Sequence, residues 1–204
     1  TLLKSGQEKF DDLFKAVKQA RSSIHLEYFN FRNDSIASLL FNILTQKANE
    51  GVEVRALYDD FGNWSNNQPI KKVQHDSINN LGVKLVKFDP LKFPYVNHII
   101  PRDHRKIVVI DGDCAYPGGC NLADEYINDF EKYGHWKDVG LRLEGDAVWE
   151  LTKLFLIDFG INIKTDLNRP KNLYPHSNIQ ENGFIIPFGD GPKPLYERRV
   201  GKSV

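Results

Sequence analysis

The stretch of sequence that decides the fold reads His104-Arg105-Lys106-Ile107-Val108-Val109-Ile110-Asp111 and, six residues later, Gly118-Gly119-Cys120-Asn121. Its fixed positions form the pattern HxK, four residues, D, six residues, GGxN. With average residue usage, six fixed positions at this spacing would arise by chance in a chain of 204 residues on the order of a few times in a million. The pattern therefore indicates a site with a chemical purpose.

The first half of this stretch predicts a strand and a turn. From Lys106 to Ile110 the chain is nearly all β-branched, and Asp111-Gly112 is typical of a hairpin turn. Side chains two positions apart on a strand leave the same face, roughly 6–7 Å apart along it, so His104 and Lys106 can converge on one phosphate. Asp111 lies at an odd offset from Lys106 and should point the other way. This favours a structural role for Asp111, although it belongs to the candidate catalytic set.

The second half of the stretch predicts close contact with a ligand. Gly118 and Gly119 have no side chains, so the backbone can pass close to a bound phosphate. Asn121 then offers an amide donor to a phosphate oxygen. Together with His104 and Lys106, these residues form a candidate site for phosphodiester chemistry, in which the two glycines bind substrate.

Helix and strand patterns alternate over the first two thirds of the chain. Apolar residues at helical spacing predict helices over 8–20, from a cap at 34 or 35 to a stop at 51, over 69–81 and over 146–159. Short apolar or alternating runs predict strands over 24–31, 52–58, 83–88, 106–110, 114–116 and 139–143. This alternation predicts an α/β domain. The Pro-punctuated residues 89–103 are predicted to form the loop that leads to His104.

The chain length fits one globular domain followed by a less regular segment. We expect a catalytic unit over residues 1–160. Residues 160–182 are polar and rich in Pro and Asn, which indicates a linker, and residues 185–192 are typical of a strand running into a turn. Residues 161–204 are therefore predicted to be a linker and strand segment. Because the chain neither begins with Met nor contains one, we expect it to be part of a longer protein.

The overall composition restricts the classes of function. The chain carries 27 basic and 27 acidic side chains, and this balance disfavours nucleic acid as a partner, because phosphate-backbone binders usually show a basic excess. Cys114 and Cys120 are too few for a disulfide framework and lack the spacing of a metal site. No apolar run approaches the ~20 residues that span a bilayer.

Glu27 lies in an otherwise apolar predicted strand, where a buried carboxylate is costly unless it is paired. Two interpretations stay open. Glu27 either lines the site, where it binds substrate hydroxyls or supports a catalytic side chain, or it pairs with an internal Arg or Lys.

The HxK stretch resembles the HKD motif of the phospholipase D superfamily, and the flanking sequence narrows the resemblance to bacterial cardiolipin synthases. The similar segments are Leu26-Glu27-Tyr28-Phe29, Gly51-Val52-Glu53-Val54-Arg55, Asp124-Glu125-Tyr126, Trp136-Lys137-Asp138 and Arg142-Leu143-Glu144-Gly145. The resemblance covers essentially the whole chain as the first, N-terminal lobe of a two-lobed enzyme. It implies a phospholipase D-like lobe with a central mixed β-sheet flanked by helices on both faces. A second HKD lobe, in the same polypeptide or on a dimer mate, would complete the active site.

The resemblance also implies a mechanism without metal or cofactor. Neutral His104 attacks phosphorus and forms a phosphohistidine, and a histidine of the other lobe acts as general acid and then as general base. Lys106 and Asn121 stabilise charge on the phosphate oxygens. The family supplies a carboxylate that accepts Nδ1–H of the nucleophile, and this carboxylate maps onto Asp138. The alternative for Asp138 is a solvated carboxylate at a strand end.

The activity implied by the resemblance is transfer of a phosphatidyl group from one phosphatidylglycerol to another, which releases glycerol and forms cardiolipin. The enzyme would work at the cytoplasmic side of a bacterial cell membrane, as a peripheral protein or anchored by segments outside this chain, without nucleic acid as a partner. Three rivals stay open. They are a homodimeric single-motif phosphodiesterase or nuclease, a phospholipase D that hydrolyses phospholipid, and a degenerate lobe kept for assembly or lipid binding. The isolated chain is expected to be nearly inactive.

Overall fold

The computed structural model describes residues 1–91, 102–127, 134–160, 173 and 185–187. Its helices are α1 (Gly6–Gln19), α2 (Ser35–Asn49), α3 (Asp60–Ser65), α4 (Lys72–Asn80) and α5 (Ala147–Asp158). Its strands are β1 (Leu2–Leu3), β2 (Ser23–Tyr28), β3 (Glu53–Asp59), β4 (Lys84–Phe88), β5 (Ile107–Ile110), β6 (Cys114–Pro117), β7 (Gly140–Leu141) and β8 (Leu143–Glu144). A short 3-10 helix spans Asp124–Ile127.

The main sheet has six strands in the order β4-β3-β2-β5-β6-β8. Strands β2, β3 and β4 are parallel, because helices form the crossovers between them. Strand β5 is antiparallel to β2, and β6 and β8 continue the antiparallel half. The sheet is therefore mixed, and β5, which follows His104, lies near its centre.

Helices cover both faces of the main sheet, and the residues on both faces of β2 and β5 are buried. On β2, Ile24 and Leu26 face the larger core, which α1 and α2 complete. His25 faces the other way and stacks on Phe155 of α5, with ring centroids 4.8 Å apart. The prediction of an α/β lobe with a mixed sheet and helices on both faces is confirmed.

Helices α1 and α2 begin at capping side chains. The Ser5 hydroxyl accepts the N–H of Glu8 at 3.1 Å, and the Asp34 carboxylate accepts the N–H of Ala37 at 3.1 Å. A cap of this kind pairs a backbone donor that the first turn leaves open, at a gain of about 1 kcal/mol. Of the two caps predicted for the second helix, the structure selects Asp34.

The β5–β6 hairpin turns at Asp111 and Gly112, which have φ angles of 56° and 73°. A side chain at Gly112 would place its Cβ 2.1 Å from the Leu173 carbonyl oxygen, so only glycine fits there. The Asp111 carboxylate accepts the backbone N–H groups of Arg21, Ser22 and Ser23 at 2.7–2.9 Å. Asp111 thus fastens the hairpin to the junction between α1 and β2.

The predicted strand over 139–143 is two short strands in different sheets. β7 pairs with β1 in a two-stranded sheet, whereas β8 pairs with β6 at the edge of the main sheet. Arg142 lies between them, and its guanidinium bonds Asp12 of α1 at 3.1 Å and the hydroxyl of Tyr116 at 3.1 Å. An alternating pattern predicts extended backbone but not the partner of each residue, so the change of sheet could not be predicted from it.

One predicted helix was wrong in its start, and one helix was missed. The helix predicted over 69–81 begins only at Lys72, and the separate helix α3 was not predicted. α3 begins directly after β3, where the carboxylate of Asp59 accepts the N–H groups of Phe61 and Gly62. The end of a buried strand and the cap of a helix fall on the same residue there, and the strand pattern hides the cap.

The predicted segment over 161–204 lies almost entirely outside the described residues. Leu173 is buried against the β5–β6 turn. Residues 185–187 are described without strand structure, so the strand predicted over 185–192 is not found in its described part. Most of the predicted loop over 89–103 also lies outside the described residues.

Candidate active site

His104 lies in the segment that leads into β5 and is exposed. Its ring packs at 54° against the ring of Phe29, with centroids 4.8 Å apart. Partial burial lowers the pKa of His104 from 6.5, and the charge of Lys106 lowers it further, whereas Asp103 and Asp59 raise it. The imidazole is therefore neutral at neutral pH, which is the form that can attack an electrophile.

Lys106 is buried, with 5% of its surface exposed. Its Nζ donates to the backbone carbonyl of His104 at 2.6 Å and lies 5.6 Å from the centre of the Phe29 ring. Burial lowers the pKa of Lys106 to about 8. The charge of Lys9 also lowers it, and the carboxylates of Asp103 and Asp138 raise it. An amine held this way is still largely charged at neutral pH, with little solvent around it.

The structure brings His104 and Lys106 together. Both precede the first residue of β5, Ile107, so neither lies within the strand itself. The side chains of both residues contact the ring of Phe29. Phe29 was not singled out by sequence reasoning, because an aromatic residue after a strand is more often part of a core.

The Gly118–Asn121 loop lies next to this pair. The Gly118 N–H donates to the Lys106 carbonyl at 3.3 Å. A Cβ on Gly119 would lie 2.8 Å from a carboxylate oxygen of Asp138, whereas a Cβ on Gly118 would meet nothing closer than 3.5 Å. A larger residue at 119 therefore fits only if the side chain of Asp138 or the loop moves.

Asn121 is almost buried, and one end of its carboxamide is unpaired. Its Nδ2 donates to the hydroxyl of Tyr126 at 3.1 Å, while Oδ1 has no partner among the described residues. The Tyr126 ring packs edge-on against Trp136, with centroids 5.0 Å apart. If the carboxamide is turned over, the hydroxyl donates to Oδ1 and the NH2 group is free for a phosphate oxygen.

The side chain of Asp138 lies against the Gly118–Asn121 loop and makes no contact of its own with His104 among the described hydrogen bonds. Its carboxylate accepts the N–H of Val139 at 2.7 Å and lies against Gly119. Within the described ranges it makes no hydrogen bond to His104. Burial raises the pKa of Cys120 to about 12, and a hydrogen bond to Asp138 contributes to the rise.

A group of buried carboxylates fastens the segment that carries His104. The Asp103 N–H donates to the Asp59 carboxylate at 2.9 Å, and the Asp103 carboxylate accepts the N–H of Arg105 at 3.0 Å. Arg102 donates to the same Asp59 carboxylate at 3.2 Å. Burial raises the pKa of Asp59 despite these donors. The backbone before His104 is therefore tied to the end of β3, and the backbone after it is tied to the side chain of Asp103.

Glu27 is fully buried beside this group. Arg105 donates to it at 3.2 Å and also pairs with Asp158 of α5. Burial and the neighbouring Asp103 raise the pKa of Glu27 well above its usual value, against the effect of Arg105. Glu27 thus has the internal Arg partner of the second interpretation, and it also touches the residue before His104.

Sequence reasoning missed Lys9, Asp59 and Asp103. Lys9 lies on the buried face of α1, where its spacing to Leu13 is the only signal of burial, and a lysine there is ordinarily assigned to the surface. Asp59 ends a buried strand, and Asp103 directly precedes the motif. These positions could have indicated Asp59 and Asp103 as site residues, but neither residue belongs to the HxK and GGxN pattern. In the described part of the chain, no group of three or more His, Cys, Asp or Glu residues is arranged to hold a metal ion.

The sheet and the HxK segment before β5 define the chain as a phospholipase D-like domain. The fold is similar to phosphatidylserine synthase from Haemophilus influenzae, with a TM-score of 0.63, 15% identity, and coverage of 84% of this chain and 40% of that chain. It is also similar to Nuc, a phospholipase D family member from Salmonella typhimurium, with a TM-score of 0.58, 16% identity, and coverage of 78% and 94%.

Residues 13–132 match the family model described as cardiolipin synthase, PLD-like domain, and the chain belongs to this family. A cardiolipin synthase from Staphylococcus aureus strain Mu50 is 41% identical over 195 residues, which are 95% of this chain and 39% of that protein. A cardiolipin synthase from Halalkalibacterium halodurans is 37% identical over 198 residues, which are 96% of this chain and 39% of that protein. The resemblance seen in the sequence is confirmed. The chain spans about two fifths of the length of these curated relatives.

Proposed function

We propose that this chain is the first catalytic lobe of a phosphatidyltransferase that forms cardiolipin from two molecules of phosphatidylglycerol and releases glycerol. The observation that carries the proposal is the exposed imidazole of His104 beside the buried amine of Lys106, both on the ring of Phe29, in a chain of this family. The substrate class comes from the similar proteins of Staphylococcus aureus and Halalkalibacterium halodurans, which are named cardiolipin synthases.

The first half-reaction transfers the phosphatidyl group to His104. Its neutral imidazole attacks phosphorus and forms a P–N bond, while the P–O bond to glycerol breaks. The leaving glycerol oxygen takes a proton from a second histidine, supplied by another lobe. The lowered pKa of His104 supports this role, because the nucleophile must be unprotonated before it attacks.

The second half-reaction reverses the proton transfer. A hydroxyl group of another phosphatidylglycerol gives its proton to the second histidine and attacks phosphorus. The P–N bond to His104 breaks, the imidazole is regenerated, and both phosphatidyl groups end on one glycerol. If water takes the place of the hydroxyl group, the result is hydrolysis.

Lys106 and Asn121 stabilise the charge that develops on the phosphate oxygens. The Lys106 amine is held in a buried setting, where an ammonium interacts more strongly with an anion than it does in water. Asn121 contributes its NH2 group after its carboxamide turns over against Tyr126. Gly119 allows the backbone of the loop to approach the phosphate, whereas the Cβ position of Gly118 faces the buried amine of Lys9, 3.5 Å away.

Asp138 is the candidate acceptor for the Nδ1–H of His104 in the assembled site. Its carboxylate bonds the N–H of Val139 in the described structure, so this role requires a change of its side-chain torsion. Glu27 supports the site through Asp103 and Arg105, on either side of His104. Asp111, at the far end of β5 and roughly 23 Å along the chain direction from His104, acts in folding and not in the chemistry.

One imidazole cannot be nucleophile and general acid in the same step, so the reaction needs a second histidine. We place it in a second HKD lobe, of the same polypeptide or of a dimer mate. The exposure of His104 supports this arrangement, because an imidazole buried within its own lobe could not meet a second one. The isolated chain as a monomer should therefore be nearly inactive.

The proposed substrates place the reaction at the cytoplasmic surface of a bacterial membrane. No helix in the described ranges has the length and apolar character to cross a bilayer. Contact with the membrane would be peripheral or made by segments outside this chain. Neither nucleic acid nor a metal ion takes part in the proposed reaction.

The experiment that tests the proposal uses the complete polypeptide that carries this chain and phosphatidylglycerol labelled in its non-acylated glycerol. We expect release of labelled glycerol together with formation of cardiolipin, and loss of both in His104→Ala. Equal rates in the wild type and in His104→Ala would contradict the proposal. Product that is only phosphatidic acid would favour a hydrolytic phospholipase D.

The nuclease rival is tested in the same preparation. Its support is the similarity in fold to Nuc, which at 16% identity extends to the fold alone. A labelled oligonucleotide should remain uncut, and binding should lack a steep dependence on salt, since the chain has no basic excess. Cleavage of the oligonucleotide without reaction of the lipid would establish the rival.

A further inference from the structure

Lys9 is a buried lysine to which neither the motif nor the mechanism assigns a role. It lies on α1 with 1% of its surface exposed, on the face that also buries Leu13. An ammonium group at such a position loses its hydration, and this loss is tolerated only when partners compensate for it. Its partners therefore indicate what the residue does.

The amine of Lys9 supports the Gly118–Asn121 loop from within the core. Its Nζ donates to the Cys120 carbonyl at 3.4 Å and lies 3.5 Å from the position of a Cβ on Gly118. The rings of Phe10 and Tyr28 lie 5.7 and 5.9 Å from the amine, within the range of cation–π attraction. The loop that carries Asn121 thus rests on the buried amine of Lys9.

The charges around Lys9 are those of the phosphate site. Burial lowers the pKa of Lys9, and the neighbouring Cys120 and Asp138 raise it. In return, the charge of Lys9 adds to burial in lowering the pKa of Lys106, while Asp103 and Asp138 raise it. The two amines therefore interact across the loop, with Asp138 acting on both.

We propose that Lys9 is a positioning residue of the phosphate site. Its buried ammonium holds the Cys120 carbonyl, fixes the loop that presents Asn121, and sets the electrostatic field at Lys106. Lys9 touches no substrate and acts only through these groups. The inference rests on the proposed phosphodiester chemistry at His104, and it extends that site to a residue on another helix.

The test compares Lys9→Met with Lys18→Met in the complete polypeptide. Methionine keeps the length of the side chain and removes its charge, and melting curves of both variants verify that each is folded. Lys18 is exposed on the same helix and serves as the matched control. We expect kcat/KM on phosphatidylglycerol to fall by roughly 10- to 100-fold in Lys9→Met, and to stay at the wild-type value in Lys18→Met.

The pH dependence of kcat/KM distinguishes a positioning role of Lys9 from a role in packing alone. Without the positive charge of Lys9, the pKa of Lys106 should rise, so the alkaline limb of the kcat/KM profile should move to higher pH. A loss of activity without that movement would show that Lys9 has only a structural role. Activity and profile equal to those of the wild type would overturn the inference as well.

A readout without substrate separates this inference from the proposed function. NMR titration of protein labelled with 13C at the lysine Cε, with the Lys106 signal assigned from Lys106→Arg, reports the pKa of Lys106 directly. The inference requires a higher pKa of Lys106 in Lys9→Met than in the wild type, and an equal value overturns it. If the wild type transfers no phosphatidyl group, the proposed function fails while this titration still decides the role of Lys9.

Discussion

His104 and Lys106 carry the ionisable groups of the proposed phosphate site, and their ionisation should be visible in the pH dependence of activity. Burial and Lys106 lower the pKa of His104 from 6.5, and activity rises as His104 loses its proton. Burial lowers the pKa of Lys106 to about 8, and activity falls as its ammonium loses a proton. We expect a bell-shaped profile of kcat/KM, with its acid limb below pH 6.5 and its alkaline limb near pH 8.

Lys106→Arg is the matched variant for the alkaline limb. A guanidinium stays charged across this range, so the fall near pH 8 should disappear even where the absolute rate is lower. An alkaline limb that remains near pH 8 in Lys106→Arg would assign it to another group.

Asp111 is the residue of the motif whose loss should affect stability and not chemistry. Asp111→Ala leaves the N–H groups of Arg21, Ser22 and Ser23 without their acceptor. Because unpaired, partly buried donors are costly, we expect the free energy of unfolding to fall by about 2–4 kcal/mol. Urea unfolding of the isolated chain measures it, with the exposed Asp76→Ala as control. An unchanged unfolding midpoint in Asp111→Ala would contradict the structural role.

At the scale of residues, the sequence indicates the candidate site residues that belong to the motif. His104, Lys106 and Asn121 were recognised because their types and spacing match one chemical task. Lys9 and Asp59 could not be recognised that way, because each reaches the site from a distant part of the chain through a backbone contact. Only the packing of α1 and the end of β3 reveals those contacts.

Among the elements, the Gly118–Asn121 loop allows two glycine-to-alanine variants to be compared. In Gly119→Ala the new Cβ would lie 2.8 Å from the carboxylate of Asp138, so the loop or Asp138 must move. In Gly118→Ala the new Cβ meets atoms no closer than 3.5 Å. Both variants remove one glycine from the same loop, but only one disturbs the site.

We expect kcat/KM to fall by roughly 10- to 100-fold in Gly119→Ala, because small displacements of catalytic groups have effects of that size. Gly118→Ala should stay within a few-fold of the wild type. Steady-state kinetics of transfer measures both, with melting curves to verify that each variant is folded. Equal losses in the two variants would mean that the contact of Gly119 with Asp138 does not matter.

The elements also show why some predictions held and others did not. α1 and α2 were predicted because each buries one face, which leaves a periodic pattern in the sequence, and β5 was predicted because all four of its residues are apolar and buried. The strand predicted over 139–143 failed in a different way, because its two halves pair with different partners around Arg142. Pairing depends on the whole sheet and is not encoded in local alternation.

Considered as a whole molecule, the chain exposes His104, the proposed nucleophile, at its surface. The mixed sheet places β5 next to β2, so His104 and Phe29 emerge close together, and the buried carboxylates behind them hold the segment in place. The fold class followed from the alternation of elements and from the family resemblance. The proposed second lobe follows from the proposed mechanism, because a single imidazole cannot carry out both proton transfer and attack.

The covalent intermediate tests the central claim most directly. The complete polypeptide is mixed with phosphatidylglycerol carrying 32P, quenched in alkali, in which a phosphorus–nitrogen bond to histidine survives, and digested for mass spectrometry. We predict that the label is found on the peptide containing His104, that it is lost on exposure to acid, and that it is absent in His104→Ala but present in the exposed control His135→Ala. Label on another residue, or continued transfer by His104→Ala, would contradict the assignment of His104 as the nucleophile.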